Sequence, residues 1–117
     1  GVDLFVSSVA SMLGADDWIA NGFEFDEDGW LAQDGIVRLG AWDKGDIIKK
    51  MLNQIDCDPE DLVSVGDSVM DLSMHIEGSR FIGFNPTRQT AIEGFEKAGI
   101  DVVLGKNLDD PRPYLGI

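Results

Sequence analysis

Short apolar runs alternate along the chain with stretches whose apolar residues recur at helical spacing. The runs at 3–6, 62–65, 80–84 and 101–104 contain β-branched or aromatic side chains, which indicates short buried strands. Between them, apolar residues three and four positions apart predict amphipathic helices, most clearly over 44–55. Strands that alternate with helices predict an α/β fold with a doubly wound parallel sheet.

Residues 18–42 depart from this alternation because turn signals divide them into short pieces. Residues 23–25 alternate apolar and acidic side chains, and 26–29 read Asp-Glu-Asp-Gly, which predicts a turn. Asp34-Gly35 predicts a second turn, followed by a strand over 36–39. We therefore expect a small β-rich hairpin segment. The tryptophans are expected to pack at the edge of a core; they are Trp18, Trp30 and Trp42.

The length and composition fit one globular domain. With 117 residues, 44% of them hydrophobic and 26% charged, the chain can bury one core but not two. Cys57 is the only cysteine, so no internal disulfide is expected. No apolar stretch approaches the roughly 20 residues that cross a bilayer, and Gly1-Val2-Asp3 lacks the basic start of a signal peptide. These features predict a cytoplasmic protein.

Acidic side chains dominate the charge of the chain. The 22 Asp and Glu residues outnumber the 9 Lys and Arg residues and give a net charge of −13. Such a surface repels nucleic acids and anionic membranes, so neither is expected as a partner. The charge fits a salt-rich cytoplasm, where screening reduces self-repulsion, and it fits an ordinary acidic protein equally well.

An acidic residue stands where the central predicted strand passes into a helix. Gly66 ends the apolar run over 62–65, and Asp67 follows it at the carboxyl edge, where open α/β sheets bind ligands. Asp71 lies one helical turn later, so the two carboxylates would share a face and repel each other. A bound cation removes that cost, and hard oxygen ligands beside a phosphate favour Mg²⁺. The same spacing also fits a helix-capping Asp67 with a solvated Asp71.

Three further polar residues occupy positions that suit anion binding. Ser7 and Ser8 follow the first predicted strand and open a helix, where hydroxyls and free amide groups can bind an anion. Each of these serines fits an N-cap role as well. Lys44 lies in the first turn of its helix, the unfavourable end for a cation, which suggests that it neutralises a phosphate. The alternative is an exposed lysine with no such role.

Taken together, these features resemble the haloacid dehalogenase superfamily of phosphohydrolases, and within it the phosphoserine phosphatase-like members. The likeness covers nearly all 117 residues. It is most specific over 66–74, which read Gly-Asp-Ser-Val-Met-Asp-Leu-Ser-Met, and the segments 20–24, 84–86 and 99–103 support it. The resemblance implies a Rossmann-like parallel sheet and a Mg²⁺-dependent phosphomonoester hydrolase.

The resemblance also implies roles for individual residues. Ser7, with the amide of Ser8, would hold the transferring phosphoryl group. Lys44 would neutralise the phosphoryl oxygens and the nucleophile, which makes it both a phosphate-binding and a catalytic residue. Asp67 would be the catalytic Mg²⁺ ligand, and Asp71 would complete the metal site by orienting the waters of the ion. These roles suit a reaction in which positioning and charge neutralisation dominate.

Three family features are missing from the sequence. Asp3 is the only acid upstream of Ser7, so the Asp-x-Asp motif that supplies the nucleophile has no counterpart, and neither does the helical cap. Met70 stands where phosphoserine phosphatases usually carry Asn, a difference that bears on specificity for serine phosphate.

We therefore expect residues 1–117 to be a single partial core domain that supplies phosphate- and metal-binding residues but no nucleophile. Expected partners are a small phosphorylated metabolite and either the missing amino-terminal segment or a second copy, pairing through exposed sheet edges. The alternative is a non-catalytic binding or regulatory module that keeps the fold without the chemistry.

Overall fold

The computed structural model describes residues 1–116. The chain divides into two compact units, Gly1–Gly40 and Ala41–Ile117. No helix in the described part of the chain is long and apolar enough to span a membrane.

The first unit consists of a helix and a two-stranded hairpin. Helix α1 (Asp3–Leu13) ends at Gly14, which adopts a left-handed conformation with φ of 66° and donates its N–H to the last turn. Strands β1 (Gly22–Phe25) and β2 (Leu31–Ile36) pair in antiparallel orientation. The expected β-rich hairpin segment is therefore present.

The strand predicted over 3–6 is wrong, because these residues begin α1. A short apolar run does not by itself distinguish a strand from a helix, and here the helical conformation continues to Leu13. Ser7 and Ser8 consequently lie inside the helix instead of at a strand end. Their hydroxyls both donate to the carbonyl of Leu4, at 3.2 and 2.9 Å respectively.

The turn predicted over 26–29 is confirmed. The Asp26 carboxylate accepts hydrogen bonds from the backbone N–H of Asp28 at 3.0 Å and of Trp30 at 2.8 Å. An aspartate that binds the backbone ahead of it is the usual way to close such a turn.

The second predicted turn, at Asp34-Gly35, and the strand predicted over 36–39 are both wrong. Strand β2 runs through Asp34-Gly35 and ends at Ile36. Gly35 lies opposite Phe23, and a Cβ at this position would come within 3.2 Å of the neighbouring strand's backbone. The glycine thus permits a close approach between the strands, which the sequence pattern does not distinguish from a turn.

The tryptophans do not pack at the edge of a core. Trp18, Trp30 and Trp42 are between 44% and 74% exposed. In the first unit only Ala10 and Ala20 are buried apolar residues among those described, because a two-stranded hairpin and one helix offer little second layer to cover a large side chain.

The second unit contains a three-stranded parallel sheet in the order β3-β4-β5. The pairing of β3 with β4 and of β4 with β5 is parallel throughout, which confirms the predicted α/β fold. Its strands are β3 (Val63–Gly66), β4 (Arg80–Phe84) and β5 (Asp101–Val103). Its α-helices are α2 (Lys44–Ile55), α3 (Gln89–Lys97) and α4 (Arg112–Leu115). Two 3₁₀-helices, Pro59–Asp61 and Val69–Met74, precede and follow β3.

The core of the second unit lies between β4 and α3. Phe95 is completely buried and packs on Phe81 with ring centroids 5.6 Å apart, and Ala91 completes the buried cluster. Gly83 leaves room for the Phe95 ring, since a Cβ at Gly83 would come within 2.6 Å of that ring. The core therefore fixes β4 against α3 and, through the strand pairing, fixes β3.

Candidate functional site

A cavity of about 340 Å³ lies where β3 and β4 end. It is lined by Val65, Gly66, Asp67, Phe84 and Asn85. Gly66 pairs with Gly83 in the parallel register, so both strands direct their carboxyl ends to the same edge of the sheet. Asp67 is exposed and lines this cavity, at the edge where the sequence placed it.

Asp71 is buried, with 4% of its surface exposed, and both of its oxygens are occupied. Oδ2 accepts from the backbone N–H of Asp67 at 3.1 Å, the backbone N–H of Ser68 at 3.0 Å and the Ser68 hydroxyl at 2.9 Å. Oδ1 accepts from the ammonium of Lys44. Ser68 and Asp71 form a reciprocal capping box at the start of the 3₁₀-helix. Asp71 thus holds the backbone of the loop that carries Asp67.

The surroundings of Asp71 favour its ionised form. Burial of the carboxyl group by itself raises its pKa, but the hydrogen bonds from Lys44 and from the Ser68 side chain and backbone, together with the Lys44 charge, outweigh it. The net effect is a pKa below the ordinary value of 3.8. The group is therefore an anion whose charge the neighbouring ammonium balances.

Lys44 reaches this position because α2 packs very closely on the 3₁₀-helix. Gly45 is buried, and a Cβ there would overlap the carbonyl of Ser73. The absence of a side chain at this position allows the first turn of α2 to approach Asp71. Lys44 itself keeps one-third of its side chain exposed, so the ammonium is both anchored and accessible.

A second glycine, Gly66, also makes room for the Asp71 side chain. A Cβ at Gly66 would overlap the Asp71 side chain. The sequence pattern indicated Gly66 only as the end of a strand and assigned no site role to Gly45, Ser68 or Asn85. Gly66, directly before Asp67, was the available signal for the close approach of Asp71. No local pattern identified a site role for the other three residues.

The structure brings Lys44, Ser68 and Asp71 together beside the loop of Asp67. The two expected metal carboxylates are not equivalent: Asp71 has its oxygens filled by protein donors, and Asp67 is left to face the cavity. Ser7 and Ser8 belong to α1 in the first unit, with their hydroxyls bonded to Leu4.

The donor set fits a Mg²⁺ ion with few protein ligands better than a metal coordinated entirely by protein side chains. In residues 1–116 no group of three or more His, Cys, Asp or Glu side chains could hold a metal ion by itself. Mg²⁺ commonly keeps several waters and binds through one or two carboxylates plus substrate phosphate oxygens. One exposed carboxylate, Asp67, suits that mode of binding, and its backbone N–H is held by the same Asp71 carboxylate that binds the accessible Lys44 ammonium.

No protein-family model and no curated protein matches the chain. Several solved structures, in contrast, match the chain. A substrate-bound phosphoserine phosphatase complex matches with a TM-score of 0.83 and 26% identity, over 98% of this chain and 52% of that one. A phospho-aspartyl intermediate analogue of phosphoserine phosphatase matches with a TM-score of 0.81 and 27% identity, over 98% and 53%.

A more distant match indicates the same fold. A HAD family hydrolase from Salmonella enterica subsp. enterica serovar Typhi has a TM-score of 0.75 at 18% identity, over 96% of this chain and 37% of that one. The chain thus spans about half the length of the phosphoserine phosphatases that it matches. It has the α/β fold seen in haloacid dehalogenase-like structures, and its structural neighbours are phosphoserine phosphatases and a HAD family hydrolase.

Proposed function

We propose that this chain supplies the metal- and phosphate-binding residues of a Mg²⁺-dependent phosphomonoester hydrolase of the phosphoserine phosphatase-like type. The observation that carries the proposal is the Asp71 network. It binds an accessible ammonium and the backbone of Asp67, and Asp67 lines a cavity at the carboxyl edge of a parallel sheet. The likeness to phosphoserine phosphatases at 26% and 27% identity supports the same interpretation.

In this proposal each residue has a limited task. Asp67 holds Mg²⁺, which supplies positive charge for the phosphoryl oxygens when bound. Lys44 offers a second positive charge, and Asp71 positions both the ammonium and the Asp67 backbone without binding the ion itself. The proposed phosphate-binding role of Ser7 and Ser8 rests on the family resemblance alone, because their hydroxyls bond within α1.

A further segment is needed to supply the nucleophile, and β3 offers it a place. In the described sheet β3 pairs only with β4, and its other edge has no strand beside it. Val65 is 42% exposed, so the described residues also leave one face of β3 partly uncovered, although parallel sheets are ordinarily covered on both faces. We propose that a segment carrying an aspartate nucleophile pairs with this edge. A second copy of the chain is the alternative partner.

A non-catalytic binding module remains the second candidate. It is favoured by one observation: Asp67 is the only carboxylate that lines the cavity, so the described residues there provide no separate nucleophile. Such a module would bind a phosphorylated metabolite without hydrolysing it.

Reconstitution tests the proposal. The chain is co-expressed with a segment that contains the Asp-x-Asp strand of a structurally matched phosphatase, and hydrolysis of p-nitrophenyl phosphate is measured with and without Mg²⁺. We expect hydrolysis that requires both pieces and Mg²⁺ and that falls about 10²-fold or more in Asp67→Asn and Lys44→Ala. Lys49→Ala, on the exposed side of α2, is the matched control and should leave the rate unchanged.

Each result decides between the candidates. Association of the two pieces without any hydrolysis would contradict the hydrolase proposal and favour the binding module. Hydrolysis that persists in Asp67→Asn would contradict the assignment of Asp67 as the metal ligand.

A further inference from the structure

Asn85 has an unusual backbone conformation at the rim of the cavity. It follows β4 directly and has φ of 46°, in the left-handed region that residues other than glycine rarely adopt. The next residue is the buried Pro86, and a residue before proline normally prefers an extended backbone. The Asn85 N–H donates to the carbonyl of Val103 at 2.8 Å, which holds this conformation against β5. Glycine would adopt it with less strain.

Asn85 lines the same cavity as the candidate metal ligand, Asp67. The residue is half-buried. Because Gly66 and Gly83 are paired, the residues just beyond them leave neighbouring strands at one edge of the sheet. Within residues 1–116 the Asn85 amide group makes no hydrogen bond to another side chain or backbone group. Strained backbone positions cluster at binding sites, and the Asn85 amide is free to bind a ligand in the cavity.

The chemistry of the cavity favours an oxygen ligand at this place. Among the residues that the structure describes, Asp67 is the only carboxylate in the lining, and both oxygens of Asp71 are already occupied. A Mg²⁺ ion held by one carboxylate has room for further hard oxygen ligands, and a side-chain amide oxygen is one of the groups that such cations accept. The amide adds no charge, so it suits a cation that must also bind an anionic phosphate.

We propose that the side-chain amide oxygen of Asn85 is a second ligand of the cation at Asp67, direct or through one water. This inference rests on the proposed function, because it needs the cation. The competing explanation is conformational: Asn is the residue other than glycine that best tolerates a left-handed backbone, and its amide then has no ligand.

Titration with Mn²⁺ followed by NMR separates the two explanations. Mn²⁺ is a hard, oxygen-binding substitute for Mg²⁺, and its unpaired electrons broaden the signals of nearby nuclei even when binding is weak. In the wild-type chain we expect early broadening of the Asp67 backbone amide and of the Asn85 side-chain NH₂. Competition by excess Mg²⁺ should reverse it. The signals of Glu77, in an acidic region of the same unit, report nonspecific binding and should respond equally in every variant.

Two substitutions at Asn85 give opposite expectations. Asn85→Gly relieves the backbone and removes the amide, so it should weaken the apparent Mn²⁺ affinity at Asp67 about threefold or more without lowering the melting temperature. Asn85→Asp keeps an oxygen at the same place and adds a negative charge, so it should bind Mn²⁺ at least as tightly as the wild type.

The pattern of results distinguishes this inference from the proposed function. If Asp67→Asn abolishes the early broadening while Asn85→Gly binds Mn²⁺ like the wild type, Asn85 is only a conformational residue and the inference is overturned. If the wild type shows no broadening at Asp67, or Asp67→Asn does not change it, the metal site itself is refuted and this inference fails with it.

Discussion

The two units of the chain differ in what they bury. In the second unit, Phe81 and Phe95 are enclosed, and the buried Asp71 has a donor for each oxygen. In the first unit the buried apolar residues are two alanines, and large side chains of α1 such as Phe5 and Leu13 are 70% and 78% exposed. A site that must hold charged groups in fixed positions needs a packed frame. The second unit provides such a frame from its own residues.

The largest expected effect contrasts two phenylalanines. Phe95→Ala should lower the free energy of unfolding by about 3–5 kcal/mol, because it empties a fully buried position between β4 and α3. Phe5→Ala, at an exposed position of α1, should change it by less than about 0.5 kcal/mol. Urea denaturation of both variants measures the difference. Equal losses would show that α1 is covered in solution and would remove the contrast between the units.

The next effect concerns the buried ion pair. Asp71→Asn should lower the free energy of unfolding by about 3 kcal/mol, because it leaves the Lys44 ammonium and the loop amide groups without their anion. Asp61→Asn, at an exposed position, is the matched control and should have little effect. Thermal and urea denaturation check both variants. If the two variants prove equally stable, the Asp71 network contributes nothing to the frame of the site.

A smaller effect is expected at the contact between α2 and the 3₁₀-helix. Gly45→Ala should destabilise the chain by about 1–3 kcal/mol, because the added methyl group meets the carbonyl of Ser73. Alanine elsewhere in a helix would be favourable, so the sign of this effect reports the close approach. Asp46→Ala on the exposed side of the same turn is the control, and denaturation again provides the measurement. A stabilised Gly45→Ala variant would contradict the packing described above.

The smallest effect is a pH dependence. The pKa of Asp71 is lower in the folded chain than its ordinary value of 3.8. Its ionisation therefore stabilises the fold fully above that value, and the contribution is lost as the pH falls below it. The stability difference between the wild type and Asp71→Asn should accordingly shrink as the pH drops below about 3.8. Denaturation curves between pH 3 and pH 7 show the trend, and a difference that stays constant would be inconsistent with this charge state.

Local sequence patterns identified the part of the site that depends on neighbours in the chain. The apolar run ending at Gly66, followed directly by Asp67, placed a carboxylate at the carboxyl edge of a parallel sheet, and the structure has it there. The run over 3–6 was wrongly predicted as a strand, since three apolar residues after Asp3 fit a helix as well as a strand. Ser7 and Ser8 were misplaced with it.

Long-range contacts explain what the sequence did not reveal. Lys44 and Asp71 are 27 residues apart, and their pairing depends on the close approach that Gly45 and Gly66 permit. The spacing of Asp67 and Asp71 suggested two carboxylates that repel each other until a cation binds. In the folded chain the partner of Asp71 is an ammonium from another helix, so the two acids have different surroundings.

The central claim is that Asp67 and Lys44 bind a cation and a phosphate together. Calorimetric titration of inorganic phosphate into the chain, with and without saturating Mg²⁺, tests it most directly. The account predicts phosphate binding that is tightened several-fold by Mg²⁺ and that loses this dependence in Asp67→Asn but keeps it in Asp61→Asn. Phosphate binding that is indifferent to Mg²⁺, or equally dependent on it in Asp67→Asn, would contradict the account.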